Sequence, residues 1–203
     1  MGYDVYGLKP KINVPKPDEI KDWQDMDWNN MTEKARERYF EAQDEYETKN
    51  PGVYFRANVW YWRPIWDYVI NVCDDFLTED DISAGFSNSG DRISKTKAIK
   101  IAKRINETIS NGFIDEWEEE RLKPYKKAIE HNKEVDAMMD AYRKIMKKKY
   151  GKDIAPRDYE PEDFQEWQSI QDKTDWNAHY PPSKSAVLDF RDFCKESGGF
   201  EIC

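Results

Sequence analysis

The chain is expected to fold as a mostly helical α+β protein, with a small two- or three-stranded sheet surrounded by about six helices. Three observations lead there. Apolar residues recur at helical spacing in several separate segments, short strand-like runs stand at the amino terminus, at residues 53–57 and at the carboxy terminus, and Pro and Gly punctuate the intervals. Charged residues make up 36% of the 203, yet 14% are aromatic, which argues for a packed core and against disorder.

Taken in order, Tyr3 to Leu8 alternates and forms a first strand, ended by Gly7-Leu8-Lys9-Pro10. Lys9 to Asp27 carries Pro10, Pro15 and Pro17 and is expected to be an extended surface connection, pinned by Trp23 and Trp28. Asn29 or Asn30 can cap a helix whose apolar stripe is Met31, Ala35, Tyr39, Ala42 and Tyr46. Asn50-Pro51-Gly52 stops it, and Val53 to Ala57 is the second strand.

Pro64 suits the first turn of a helix starting near Arg63, with Ile65, Trp66, Val69, Ile70, Cys73 and Phe76 as its stripe. One helix from Asn58 onward with a kink at Pro64 is the alternative. Thr78-Glu79-Asp80-Asp81 resembles a capping box, and Gly85 to Asp91 is a glycine-bounded polar loop. Ser94 caps the next helix, buried through Ala98, Ile101, Ala102, Ile105 and Ile109 and closed by Gly112.

A long helix from about Ile114 to Tyr150 begins acidic and ends with Lys147, Lys148 and Lys149, matching the helix dipole, with a division or kink at Pro124. Pro161 opens a short helix bearing Phe164, Trp167 and Ile170. Ser183 or Ser185 caps the last helix, Gly198-Gly199 ends it, and Phe200 to Cys203 can form a terminal strand.

The formal net charge of −9 disfavours general attraction to nucleic acid or anionic membranes. No apolar run approaches the 18 or so residues of a spanning helix, and the amino terminus lacks a signal-peptide pattern, so a cytoplasmic protein is expected. Cys73, Cys194 and Cys203 are widely spaced and have only His131 and His179 to join them. That argues against a zinc site and for reduced thiols.

Two segments carry binding chemistry. In the first, Arg56, Asn58, Trp60, Trp62 and Arg63 interleave rings with guanidinium groups, a composition that can stack a base and hold a phosphate. The same rings can equally be core, with the arginines in ion pairs. In the second, Asn88, Ser89, Gly90 and Arg92 lead to Ser94, Lys95, Thr96 and Lys97, a loop feeding a helix amino terminus suited to an anion. A turn plus an N-cap explains Gly90 and Ser94 as well, and the spacing of a Walker loop or dinucleotide fingerprint is absent. Asp67, Asp74, Asp75, Asp80, Asp81, Asp91, His179 and Cys194 match no catalytic motif, so no catalytic residue, metal or cofactor is assigned.

The strings Met1-Gly2-Tyr3-Asp4-Val5-Tyr6-Gly7-Leu8-Lys9-Pro10, Tyr54-Phe55-Arg56, Val59-Trp60-Tyr61-Trp62-Arg63-Pro64, Gly90-Asp91-Arg92-Ile93-Ser94-Lys95-Thr96-Lys97 and Gly198-Gly199-Phe200-Glu201-Ile202-Cys203 resemble uncharacterised proteins carried by bacteriophages and some bacteria. The resemblance implies a phage context and no mechanism. Residues 11–50 and 115–182 lie outside the shared pattern and are expected to elaborate a smaller core within one domain, 1–203. Chemistry and context together lead to a non-enzymatic binding protein that sequesters an anionic nucleotide-type signalling molecule as a counter-defence protein. The alternatives are a module inhibiting a host protein and, third, a nucleotide-processing enzyme. Self-association is left open.

Overall fold

The computed structural model describes residues 2–20 and 26–203. The expected α+β class holds: among the described residues there are seven α-helices and one antiparallel sheet, with four strands instead of two or three. Trp23, expected to pin the first connection, lies outside the described residues. The chain divides into two compact units, residues up to Asp115 with Ser183–Cys203, and Glu116–Pro182.

In the first unit, strands β1 (Gly2–Gly7), β2 (Tyr54–Asn58), β3 (Asp91–Ile93) and β4 (Phe200–Ile202) lie in the order β2-β1-β4-β3. β3 is the strand the sequence did not disclose. It is three residues long, too short for alternation to register, and pairs with β4 through Asp91↔Ile202, Arg92↔Glu201 and Ile93↔Phe200. The side-chain period of two sorts the sheet's faces. Tyr3, Val5, Ala57, Ile93, Phe200 and Ile202 are buried, whereas Tyr6, Arg56 and Arg92 are exposed on the other face.

Helix α1 (Glu33–Lys49) is capped by Thr32, not by Asn29 or Asn30, its hydroxyl accepting from Ala35 N. Trp28 stacks on Phe40 and meets Tyr39 edge-on, so it does anchor the connection. Helix α2 (Val59–Cys73) starts at Asn58, whose side chain accepts from Trp60 N and Tyr61 N, and Pro64 lies inside it. This is the alternative of one helix from Asn58 onward, and the start near Arg63 is displaced four residues toward the amino terminus, because the Asn58 cap supplies the acceptor that Pro64 only spares. Helix α3 (Glu79–Ala84) opens with the expected capping box of Thr78 and Asp81.

Helices α2, α4 (Lys95–Ser110) and α7 (Lys184–Glu196) pack together, and α2 and α7 cover the apolar sheet face. Their core is a ring cluster. Tyr3 stacks on Trp62 at 5.3 Å and Trp62 on Trp66 at 5.6 Å, while Phe190 meets Trp62, Phe55 and Phe200 edge-on. Both indoles satisfy their buried N–H, Trp62 donating to Gly85 O at 2.6 Å and Trp66 to Ile82 O at 3.0 Å. Gly85 is obligatory there, since a Cβ would lie 1.8 Å from Trp66 Nε1.

Helix α5 (Phe113–Tyr150) continues unbroken through Pro124, and from Glu116 it belongs to the second unit, which also holds α6 (Pro161–Gln171). Within that unit the buried Asp163 carboxylate accepts from Lys149 Nζ and Tyr150 Oη, and Tyr142 Oη donates to the Asp163 carbonyl at 2.8 Å. No helix among the described residues is long and apolar enough to cross a membrane.

Candidate functional site

The feature of the first unit best suited to a ligand is a cleft of about 450 Å³ between the exposed sheet face and α1. Its sheet wall is Tyr6 and Tyr54, packed ring to ring at 5.2 Å, with Arg56 beside them. Cross-strand pairing dictates this grouping. Tyr6 lies opposite Tyr54 and Asp4 opposite Arg56, and the period of two turns all four side chains to one face. Asp4 organises the wall: its Oδ1 accepts the Tyr54 hydroxyl hydrogen bond and lies 3.7 Å from Arg56 Nε. The Tyr54 hydroxyl is pushed well above the ordinary phenol range, by burial first and then by the Asp4 carboxylate. It stays a neutral donor.

The helical wall follows from the α1 spacing. Tyr39, Gln43 and Tyr46 fall at steps of four and three, and Phe40 and Glu47 lie beside them. Phe40 is 50% exposed and Tyr6 47%, so both rings reach the mouth, while Tyr39 is buried. Lys16 and Ile20 from the proline-bearing connection close the rim. That connection is held by Asn50, fully buried at the end of α1. Asn50 Oδ1 accepts from Asn13 N at 2.7 Å and Val14 N at 3.0 Å, and its Nδ2 donates to Val14 O and Tyr46 O.

Of the residues singled out in the sequence, only Arg56 lines this cleft. Its side chain is 74% exposed, so the guanidinium is accessible to a ligand beside its ion pair with Asp4. Trp62 is fully buried and offers no face to one. Asn58 is occupied as a helix cap, Trp60 is half-buried on α2, and Arg63 is exposed on the same helix.

Arg92 of the second group lies on β3, which with β2 forms the two outer strands of the sheet. Three strand spacings separate them, about 14 Å. There Arg92 Nε donates to Glu201 Oε2 at 2.6 Å, and Lys97 pairs with the buried Asp81. Ser94 caps α4 by accepting from Lys97 N, while Lys95 and Thr96 are exposed on its first turn. Asn88 donates to Gly2 O, Ser89 accepts from Ser87, and Gly90 adopts a φ of +80° with its N–H on Ile202 O. Arg56 and Arg92 thus stand on opposite outer strands, Arg92 and Lys97 are engaged in ion pairs, and Asn88 reaches Gly2, the cross-strand partner of Asn58.

Among the described residues no three His, Cys, Asp or Glu side chains are placed to hold a metal ion. Burial pushes the Cys73 thiol up to about 12 and the Cys194 thiol well above its ordinary range, so neither is a thiolate near neutrality.

What the sequence did not single out is α1 as a ligand wall. Its Tyr39, Ala42 and Tyr46 stripe read as ordinary core, and Phe40, one position off the stripe, was the available signal. No protein-family model, curated protein or solved structure matches the chain, so the cleft has to be interpreted from its own chemistry.

Proposed function

We propose that the protein is a non-enzymatic binding protein whose site is the Tyr6–Phe40–Arg56 cleft, and that its ligand is a small planar anion of nucleotide type. The observation that carries this reading is the joining of accessible rings to an exposed guanidinium in one concavity. A base inserted between Tyr6 and Phe40 gains about 1–3 kcal/mol from stacking. Arg56 and Lys16 at the rim supply positive charge for a phosphate, and the volume falls within the range usual for small-molecule sites. In the phage context implied by the sequence resemblance, such binding would remove a host signalling nucleotide without altering it, as a counter-defence protein does.

The test is incubation of the full chain with a mixed nucleotide pool, including cyclic and ADP-ribose-derived species, followed by thermal shift and recovery of bound material after heat denaturation. Intact recovered nucleotide is expected. Arg56→Ala and Tyr6→Ala should each weaken binding about tenfold or more while leaving Tm within a few degrees, both side chains being exposed. Chemically altered nucleotide would instead make the protein an enzyme. No shift with any species would overturn the ligand reading and turn attention to a host protein docking on the half-exposed Phe40 and Tyr6 rings.

A further inference from the structure

We infer that the cleft selects its base, that Glu47 on α1 makes the selection, and that the base chosen is of guanine type. This rests on the nucleotide-binding reading above and deepens it. Glu47 is half-buried in the wall of the cleft. Gln43, one helical turn earlier, donates from Nε2 to Glu47 Oε1 at 2.8 Å, which fixes the carboxylate plane. Among the described residues, none donates to the other oxygen, Oε2, and no lysine or arginine pairs with the carboxylate. A half-buried carboxylate held through one oxygen keeps the other available to accept from a ligand.

The electrostatics agree with the geometry. Burial first, and then the like charge of Asp44, hold the Glu47 carboxyl above its usual range, while the Gln43 amide opposes them incompletely. Glu47 also lies close enough to Tyr6 to contribute to raising that phenol, so the carboxylate and the exposed ring share one space. A base lying against Tyr6 can therefore bring its edge to Glu47.

The edge that fits is one with adjacent donors. With the Gln43 amide hydrogen turned to Glu47, the pair offers acceptors: Gln43 Oε1 and Glu47 Oε2. Guanine presents a ring N–H beside an exocyclic amine, two parallel donors for Gln43 Oε1 and Glu47 Oε2, the one to Glu47 being charge-assisted. Adenine presents an amine beside an unprotonated ring nitrogen, whose lone pair would face a carboxylate oxygen. The site thus rejects adenine by leaving two acceptors opposed, a larger penalty than a missing contact.

The experiment is a calorimetric titration of the full chain with GMP, IMP and AMP, repeated on Glu47→Gln after its Tm has shown it folded. Affinity should fall in the order GMP, IMP, AMP, because IMP keeps the ring N–H and loses the amine, with GMP ahead of AMP by about tenfold or more. In Glu47→Gln the GMP-to-AMP ratio should collapse to within about threefold. Equal affinities in the native protein, or a preference that survives in Glu47→Gln, would overturn base selection by Glu47 while leaving nucleotide binding standing. Absence of binding by all three, with no shift from the mixed pool, would overturn both.

Discussion

At the scale of single residues, two positions tie the cleft and core to the rest of the first unit. Asn50 is fully buried and uses both ends of its amide, accepting two backbone N–H groups and donating to two carbonyls. Asn50→Asp keeps the shape but turns an oxygen toward Val14 O and Tyr46 O, so it should cost about 3 kcal/mol. Guanidinium denaturation measures that loss, and ligand affinity should fall with it, because the connection carrying Lys16 and Ile20 is released from the cleft rim. Gly85→Ala should be comparably severe, about 3 kcal/mol, since its Cβ has no room beside the Trp66 indole. Neither role was legible in the sequence. Asn50 stood before Pro51-Gly52 and explained itself as a helix stop, and Gly85 as the edge of a loop. Their partners, Val14 and Trp66, are distant in sequence, and a local reading registers only near neighbours.

At the scale of elements, what was legible is what local chemistry decides. Ser94 and Thr78 cap their helices as expected, because a cap is fulfilled within three residues. The start of α2 and the strand β3 are decided otherwise. Asn58 can cap only because β2 ends there, and Asp91–Ile93 is a strand only because β4 lies beside it. The same holds for Lys97, which in the sequence belongs to a candidate anion site and in the fold is the counter-charge of Asp81.

That pair makes the joint between α3 and α4 sensitive to acid. Burial opposes the Asp81 charge, but hydrogen bonds from Lys97 and Thr78 outweigh it and hold the carboxyl below its ordinary range. A carboxylate whose folded pKa is depressed contributes stability above its unfolded pKa, about 4, and loses it as pH falls through the lower folded value. Lys97→Met removes the leading favourable cause. The acid-unfolding midpoint, followed by tryptophan fluorescence, should therefore move to higher pH, and an unchanged midpoint would deny the pair its role.

At the scale of the molecule, the rings of residues 54–69 show why the fold was easier to read than the site. Their number foretold a ring-rich core, and Trp62 and Trp66 are indeed at its centre, but ring content does not say which faces remain open. Openness is decided by α1, whose Phe40 and Glu47 meet Tyr6 and Arg56 only in the folded chain. All the cleft residues lie in the unit formed by the chain up to Asp115 and by Ser183–Cys203. Glu116–Pro182 contributes none, and this suggests that it is dispensable for binding.

The ends of that insertion are close enough to be rejoined. Lys184 Nζ pairs with Asp115 Oδ1 inside the first unit. Such a pair limits the two Cα atoms to a separation of about 12 Å, and a linker of about five extended residues spans about 17 Å. Replacing Glu116–Pro182 by a Gly/Ser linker of that length should give a chain that still unfolds cooperatively on heating, because the sheet, α2, α4 and α7 retain their mutual packing. Its nucleotide affinity should stay within about threefold of the full chain if the insertion takes no part in binding. Loss of the cooperative transition would show that the insertion is part of the folding unit. A folded deletion variant that no longer binds would instead move ligand recognition onto residues 116–182.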